Sequence, residues 1–372
     1  MDAVVGLARD GLSAPSGAGG GADERTCALV AAAEEAGARE AVVVGAMGSR
    51  LAGILEAVDR ARGRGAEPAL ATHLARERVN RLRVAAAVAR AGEALDGAEI
   101  GWVVVKGPAV ARLWPEPTRR GFNDLDLLVE PHRVADAVAA LVEAGADELN
   151  RNWAGVRRYA VAEFPLLLAG AQIDLHADLV GLGRHRRHIA FATLELLDRR
   201  RRVPTPAGAV PVLDPADEVI HLCVHAGLGG ATRLSQLRDV AVAVGRLDPD
   251  PATVAARARA AGARRLCAHV LDRAGWLTGA NPRIDGLVAA LGVGPAELAL
   301  RRRADERTRR RARRRGVVRA GRAWWVRSRR DTAGATVADL AWWGWRRGAS
   351  GLGLRVASWD VDDPDSPLYW GR

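Results

Sequence analysis

The chain has 372 residues, 49% of them hydrophobic and 27% charged, enough for two or three domains with sizeable cores. Its net charge is +11, but residues 301–330 hold 15 arginines against Asp305 and Glu306, so the remainder is close to neutral. Three scattered cysteines (Cys27, Cys223, Cys267) exclude a disulfide framework or a Cys-x-x-Cys metal site, and no apolar run approaches the ~20 residues of a membrane span.

Asp2 stands at the start and no basic-then-apolar leader follows, so a cytoplasmic protein without a signal peptide is expected. Residues 11–22 are rich in Gly, Ser and Ala, which suggests a flexible N-terminus over 1–24. Residues 25–96 space apolar side chains by three and four, as in Leu51, Ile54, Leu55 and Val58, and read as a helical packing layer. From 97 to 182 the texture becomes α/β. Glu99–Val105 reads as a buried strand, Lys106-Gly107-Pro108 ends it, and 109–114 can hold one or two helical turns. Residues 119–123 form a loop before a second strand, Asp124–Val129. A helix begins at Pro131, carries the stripe Val134, Val138, Leu141 and Val142, and ends at Gly145. Residues 156–168 suit a strand pair and Gln172–His176 a short alternating strand. After 185 the pattern turns helical again and stays so to 300, with one helix opening at Asp214-Pro215. Residues 301–372 alternate arginine clusters with Trp324, Trp325, Trp342, Trp343 and Trp345. The expected class is α+β: a small mixed-sheet core over 97–182, flanked by helical regions over 25–96 and 183–300.

Lys106 is the single lysine among 55 basic residues. Lysine is a point charge on a flexible stem and arginine a planar fork, so the two substitute poorly at a phosphate. The glycine after Lys106 lets backbone N–H groups approach a phosphate, and the next helix N-terminus adds a favourable dipole. On the second strand, Asp124 and Asp126 share one face while Leu125 and Leu127 share the other. Two buried like charges about 7 Å apart are costly without a cation, and Mg²⁺ binds such carboxylates together with phosphate oxygens. A third carboxylate is then expected on a neighbouring strand, where Asp174 between Ile173 and Leu175 is the candidate. Lys106 and Arg120 would neutralise a polyphosphate that leaves as pyrophosphate.

Together these residues resemble the polymerase-β-type nucleotidyltransferase superfamily, and more closely its bacterial branch of uncharacterised nucleotidyltransferases with a Lys-Gly signature. The matching motifs are Lys106-Gly107, Trp114-Pro115, Arg120, Asp124-Leu125-Asp126 and Asp174-Leu175-His176. The similarity continues through His221-Leu222-Cys223-Val224-His225, Arg233-Leu234 and Leu237-Arg238-Asp239, and so covers 100–245. The resemblance implies a nucleotidyltransferase core in which Asp124, Asp126 and Asp174 hold Mg²⁺, two ions in all. It implies that Lys106, Gly107 and Arg120 meet the triphosphate of an NTP, with ATP favoured. A hydroxyl of the acceptor, a small molecule or peptide, would then attack the α-phosphorus, with Asp174 as third ligand and general base. Two departures stand out. Pro108 removes the serine hydroxyl or the N–H found at that turn, and Trp114 replaces the branch's usual Tyr.

Other residues carry weaker signals. His176 shares the Asp174 strand face and could touch substrate or order a metal carboxylate. His221 and His225 have zinc spacing around Cys223, but no glutamate follows His221 and the apolar Leu222 and Val224 favour a structural or substrate-facing role. The resemblance puts His225 over the active-site cleft. The arginines and tryptophans of 301–347 could form a solvated face, contact nucleic acid, or lie on an anionic membrane. The rival function is therefore a catalytically idle fold that binds nucleic acid or a protein through that segment.

Overall fold

The computed structural model of the protein describes residues 2–9, 24–65, 67–114, 120–149, 162–181, 183–205, 208–231, 233–279 and 281–303. Expectations for 11–22, Pro115, Arg119, 156–161 and the Arg/Trp-rich 304–372 lie outside the described residues. Among the described residues the strands are β1 (Trp102–Val104), β2 (Asp124–Val129), β3 (Asp147–Glu148), β4 (Glu163–Leu168), β5 (Ala171–His176), β6 (Arg201–Thr205) and β7 (Gly208–Val212). They form one mixed sheet in the order β3-β4-β5-β2-β1-β7-β6. β2 runs parallel to β5 and antiparallel to β1, so the two aspartate-bearing strands are direct neighbours.

Before the sheet come α1 (Asp2–Arg9), α2 (Glu24–Glu35), α3 (Arg39–Gly48), α4 (Ala52–Ala61) and α5 (Pro68–Gly97). Within it lie α6 (Pro108–Ala111), α7 (Val134–Glu143), α8 (Gly183–Arg186) and α9 (Thr193–Asp198). After it come α10 (Pro215–Leu228), α11 (Leu234–Leu247), α12 (Pro251–Ala260), α13 (Arg264–Thr278) and α14 (Pro282–Leu291). Among the described residues, no helix is long and apolar enough to cross a membrane.

The period-two alternation of β2 separates its two jobs. Leu125 and Leu127 join a core in which Val84, Val88 and Leu95 of α5 and Leu141 of α7 cover one face of the sheet. Leu128 lies on the other face with Val103 and Val105, packed against Leu179, Leu196, Leu197 and Leu213. Asp124 and Asp126 share that second face, at the end where the Lys106 loop leaves β1. A third cluster joins α1–α4 to α10–α14, so the two helical regions pack on each other as well as on the sheet.

Three expectations need correction. The stretch after 185 is not wholly helical: β6 and β7 form a hairpin there and β7 extends the sheet beside β1. Pro204, Pro211 and the exposed Arg201 and Arg202 hide its alternation, which an edge strand tolerates. The N-terminus is not flexible throughout, because 2–9 forms α1, with Val4, Leu7 and Ala8 buried and the Ala8 carbonyl accepting from Arg238 Nη1 at 3.0 Å. Its i, i+3, i+4 stripe is overshadowed by the Gly-rich residues that follow. Finally, the helix after Gly107 is a single turn beginning with Pro108, so it offers the cleft little dipole.

Two buried bidentate ion pairs tie the post-β1 turn to the C-terminal helices. The first joins Arg112 to Glu218 of α10, at 2.9 and 2.8 Å. Removing one partner of such a pair strands the other charge in a dry interior. We therefore expect Glu218→Ala to cost about 3–5 kcal/mol in urea unfolding. Replacing Arg112 and Glu218 together by Met and Leu should recover most of that loss, which a double-mutant cycle measures directly.

Candidate active site

The sheet register brings the acidic residues together. Asp126 and Asp174 face each other across β2 and β5, and Glu163 of β4 is the register partner of His176. Asp124, Asp126, Glu163 and Asp174 all line one cleft, with Lys106, Gly107 and His176. The cleft measures about 360 Å³, within the range of small-molecule sites.

Lys106 arrives because Val105 N–H donates to the Asp126 carbonyl at 3.1 Å, carrying the β1–β2 ladder one residue past the strand. Its ammonium is ion-paired with Asp126 Oδ1. The next residue, Gly107, has φ +55° and ψ −117°, and a Cβ there would lie 3.0 Å from the Asp124 carbonyl oxygen. Both the conformation and the close approach require glycine. His176 Nε2 lies 3.1 Å from the same Asp126 Oδ1, and Gln172 Nε2 donates to Asp174 Oδ1 at 2.9 Å.

The electrostatics follow from this crowding. Burial alone would raise the Asp126 carboxyl, but Lys106 and His176 overcome it and hold Asp126 far below the usual carboxylate range. Burial opposes charge on Lys106 too, yet Asp126, Glu163 and Asp124 keep its pKa above the ordinary lysine value. Burial, with Asp126 beside it, raises the Asp124 carboxyl. Asp174 is the least compensated: burial, Glu163 and Asp126 push its carboxyl up to about 7.

Such surplus negative charge on hard oxygen donors suits a divalent cation of the Mg²⁺ type. Among the described residues, no group of three or more His, Cys, Asp or Glu side chains is already arranged to hold a metal ion. The Lys106 ammonium is paired with Asp126, and Gln172 is hydrogen-bonded to Asp174. The donor set fits the ion once Lys106 moves off Asp126.

Arg120 is placed differently from a free phosphate-binding arginine. It lines the cleft, but its Nε and Nη2 grip Asp239 at 2.8 and 2.9 Å, and its Nη1 reaches the Gly107 carbonyl at 3.4 Å. Trp114 Nε1 donates to the same Asp239 at 2.8 Å. Arg120 and Trp114 thus anchor the turn around Gly107 to α11.

The opposite wall comes from α10 and the start of α11, with His221, His225, Ser235 and Gln236 facing the cleft. His221 is buried, neither of its ring nitrogens has a partner among the described residues, and burial together with Lys106 lowers its pKa to about 3, so it is neutral. The two rings stand 6.2 Å apart. Cys223 is hydrogen-bonded to Cys267 inside the helical core, which removes it from any shared zinc site. Glu163, Asp239, Gln236 and Arg50 of the α3–α4 turn line this cleft without having been found in the sequence. Only Asp239 carried a signal there, as the last residue of the Leu237-Arg238-Asp239 motif.

One mixed sheet thus carries Asp-x-Asp and Asp-x-His on adjacent strands beside Lys106. The chain belongs to the family described as "Uncharacterised nucleotidyltransferase", which matches residues 55–279. A comparison with curated proteins gives no match.

Gly107→Ala tests the turn. It should lower stability by about 1–3 kcal/mol through the strained φ and the contact with the Asp124 carbonyl, read as a drop in the urea midpoint.

Proposed function

We propose that the protein is a Mg²⁺-dependent nucleotidyltransferase that moves a nucleoside monophosphate from an NTP, ATP favoured, to an acceptor hydroxyl and releases pyrophosphate. The acceptor we favour is a small molecule or a peptide. The observation that carries this reading is the convergence of Lys106 with Asp124, Asp126 and Asp174 from two neighbouring strands in one cleft. Asp124, Asp126 and Asp174 would hold the metal. When bound, Mg²⁺, with two ions expected, supplies Lewis-acid stabilisation of the attacking and leaving oxygens.

The chain's own residues do the rest. Lys106 exchanges Asp126 for the polyphosphate and neutralises the departing pyrophosphate. Gly107 lets the backbone lie close to that group. His176 steadies Asp126 through its Nε2 contact. Asp174 takes the proton of the acceptor hydroxyl. Arg120 supports the triphosphate indirectly, by fixing the Gly107 carbonyl and Asp239. The neutral side chains of His221, His225 and Gln236 on the far wall receive the acceptor, since neutral imidazoles and an amide suit a hydroxyl better than a phosphate.

Incubation with Mg²⁺, NTP and an extract of the source cells tests the reaction. Label should pass to an acceptor from the α-phosphate and not from the γ-phosphate. Asp126→Asn should cut transfer by about 10²–10³-fold while the protein stays folded by circular dichroism. Transfer from the γ position would mean a kinase and would overturn the reading.

A proton on Asp174 competes with the cation. Because that carboxyl sits near 7, most of it is protonated at pH 6 and little at pH 8. Stabilisation by Mg²⁺ in thermal melts should therefore grow as pH rises from 6 to 8. Asp174→Asn should flatten that dependence.

A further inference from the structure

A nucleotide triphosphate needs more positive charge than one ammonium, and the arginine expected to supply it is engaged elsewhere. The Arg120 guanidinium is committed to Asp239 and to the Gly107 carbonyl. Releasing it would strand a buried carboxylate and loosen the Lys106 turn. Arg50, in the turn after α3, lines the same cleft as Lys106 and Asp124. Among the described residues no hydrogen bond or ion pair engages its guanidinium. Its charge reaches Asp124, whose carboxyl it lowers against the effect of burial.

The backbone at Arg50 adds an independent point. Helix α3 ends in a Schellman-type cap: Leu51 N–H donates to the Ala46 carbonyl at 2.8 Å and Arg50 N–H to the Met47 carbonyl at 3.1 Å. That cap puts Arg50 at φ +56°, where glycine is strongly preferred. Leu51, directly after it, is fully buried and pins the turn. A cap that would favour glycine therefore holds a long cation, fixed at its root and free at its tip, over an acidic cleft. The position lies outside 55–279, so the family match does not assign it.

We propose that the Gly48–Arg50 turn is a polyphosphate subsite, in which Arg50 grips the β- and γ-phosphates of the nucleotide that Lys106 also contacts. This rests on the nucleotidyltransferase reading above. It makes the N-terminal helices part of the nucleotide site and not only a packing layer. The nearby Arg233 is a poorer candidate, because it stands on the far wall beside His225.

Arg50→Gly tests the subsite, because it suits the left-handed backbone while deleting the charge. The full chain is titrated with ATP, AMP and inorganic tripolyphosphate in Mg²⁺ by calorimetry, and the metal-free Tm is recorded. Arg50→Gly should weaken ATP and tripolyphosphate binding at least about tenfold, one lost charge-assisted contact, and leave AMP within about twofold. The Tm should hold or rise, and Arg50→Lys should restore part of the affinity. Unchanged ATP binding in Arg50→Gly overturns the subsite and leaves the proposed reaction standing. Equal loss for AMP and ATP, or a fallen Tm, assigns Arg50 a structural role and also overturns it. A wild-type protein that binds none of the three probes overturns the nucleotide reading itself, and the subsite with it.

Discussion

Mutual repulsion among Asp124, Asp126, Glu163 and Asp174 is the constraint around which the cleft is built. The pairing of β2 with β5 fixes Asp126 beside Asp174, so the chain cannot separate these charges without breaking its central strands. Lys106 and His176 both meet the same oxygen of Asp126, whereas Asp174 receives the uncharged Gln172 amide. Asp126 is consequently secured as a carboxylate, while Asp174 is left near neutrality in the absence of a further cation. A site in which one acid is fully compensated and its neighbour is not has a built-in demand for positive charge, and that demand is what the metal of the proposed reaction would meet.

Holding that arrangement falls to groups far away in sequence. Asp239 takes Arg120 and Trp114 from the loop before β2, and Glu218 takes Arg112 from the turn after β1. Both acids come from the C-terminal helices, and both are buried. Buried pairs of this kind contribute little net stability against apolar replacements, but they fix relative position well because their geometry is bidentate. Their use here is positional: they set the Lys106-Gly107 turn against α10 and α11, the helices that form the opposite wall of the cleft.

The central part of this site was legible in the sequence because strands advertise their faces. β2 has the bounds expected, the short strand around Asp174 gains one residue, and the helix expected from Pro131 runs from Val134 to Glu143, two residues before Gly145 with φ +93°. The lone lysine drew attention for a compositional reason that happens to coincide with its position. What stayed hidden depended on tertiary contact. Nothing local tells that Arg120 pairs with a residue 119 positions later. Glu163 begins a strand whose partner, β5, is what turns it toward Asp174 and His176. The β6–β7 hairpin was lost to prolines and arginines that an edge position tolerates. Arg50 sat in a helical region of which it is, among the described residues, the one non-glycine position with φ above zero.

The chain divides its cations by what each must do. Arg39 on Asp59, Arg112 on Glu218 and Arg120 on Asp239 all use two nitrogens on two oxygens of one carboxylate. A fork satisfied in that way is a poor candidate for exchange, since leaving costs two charge-assisted bonds at once. Lys106 has a rotatable ammonium and a single carboxylate oxygen as its ion-pair partner. On the proposed reading it would trade that oxygen for a phosphate, whereas Arg39, Arg112 and Arg120 would keep the carboxylates they hold in two places.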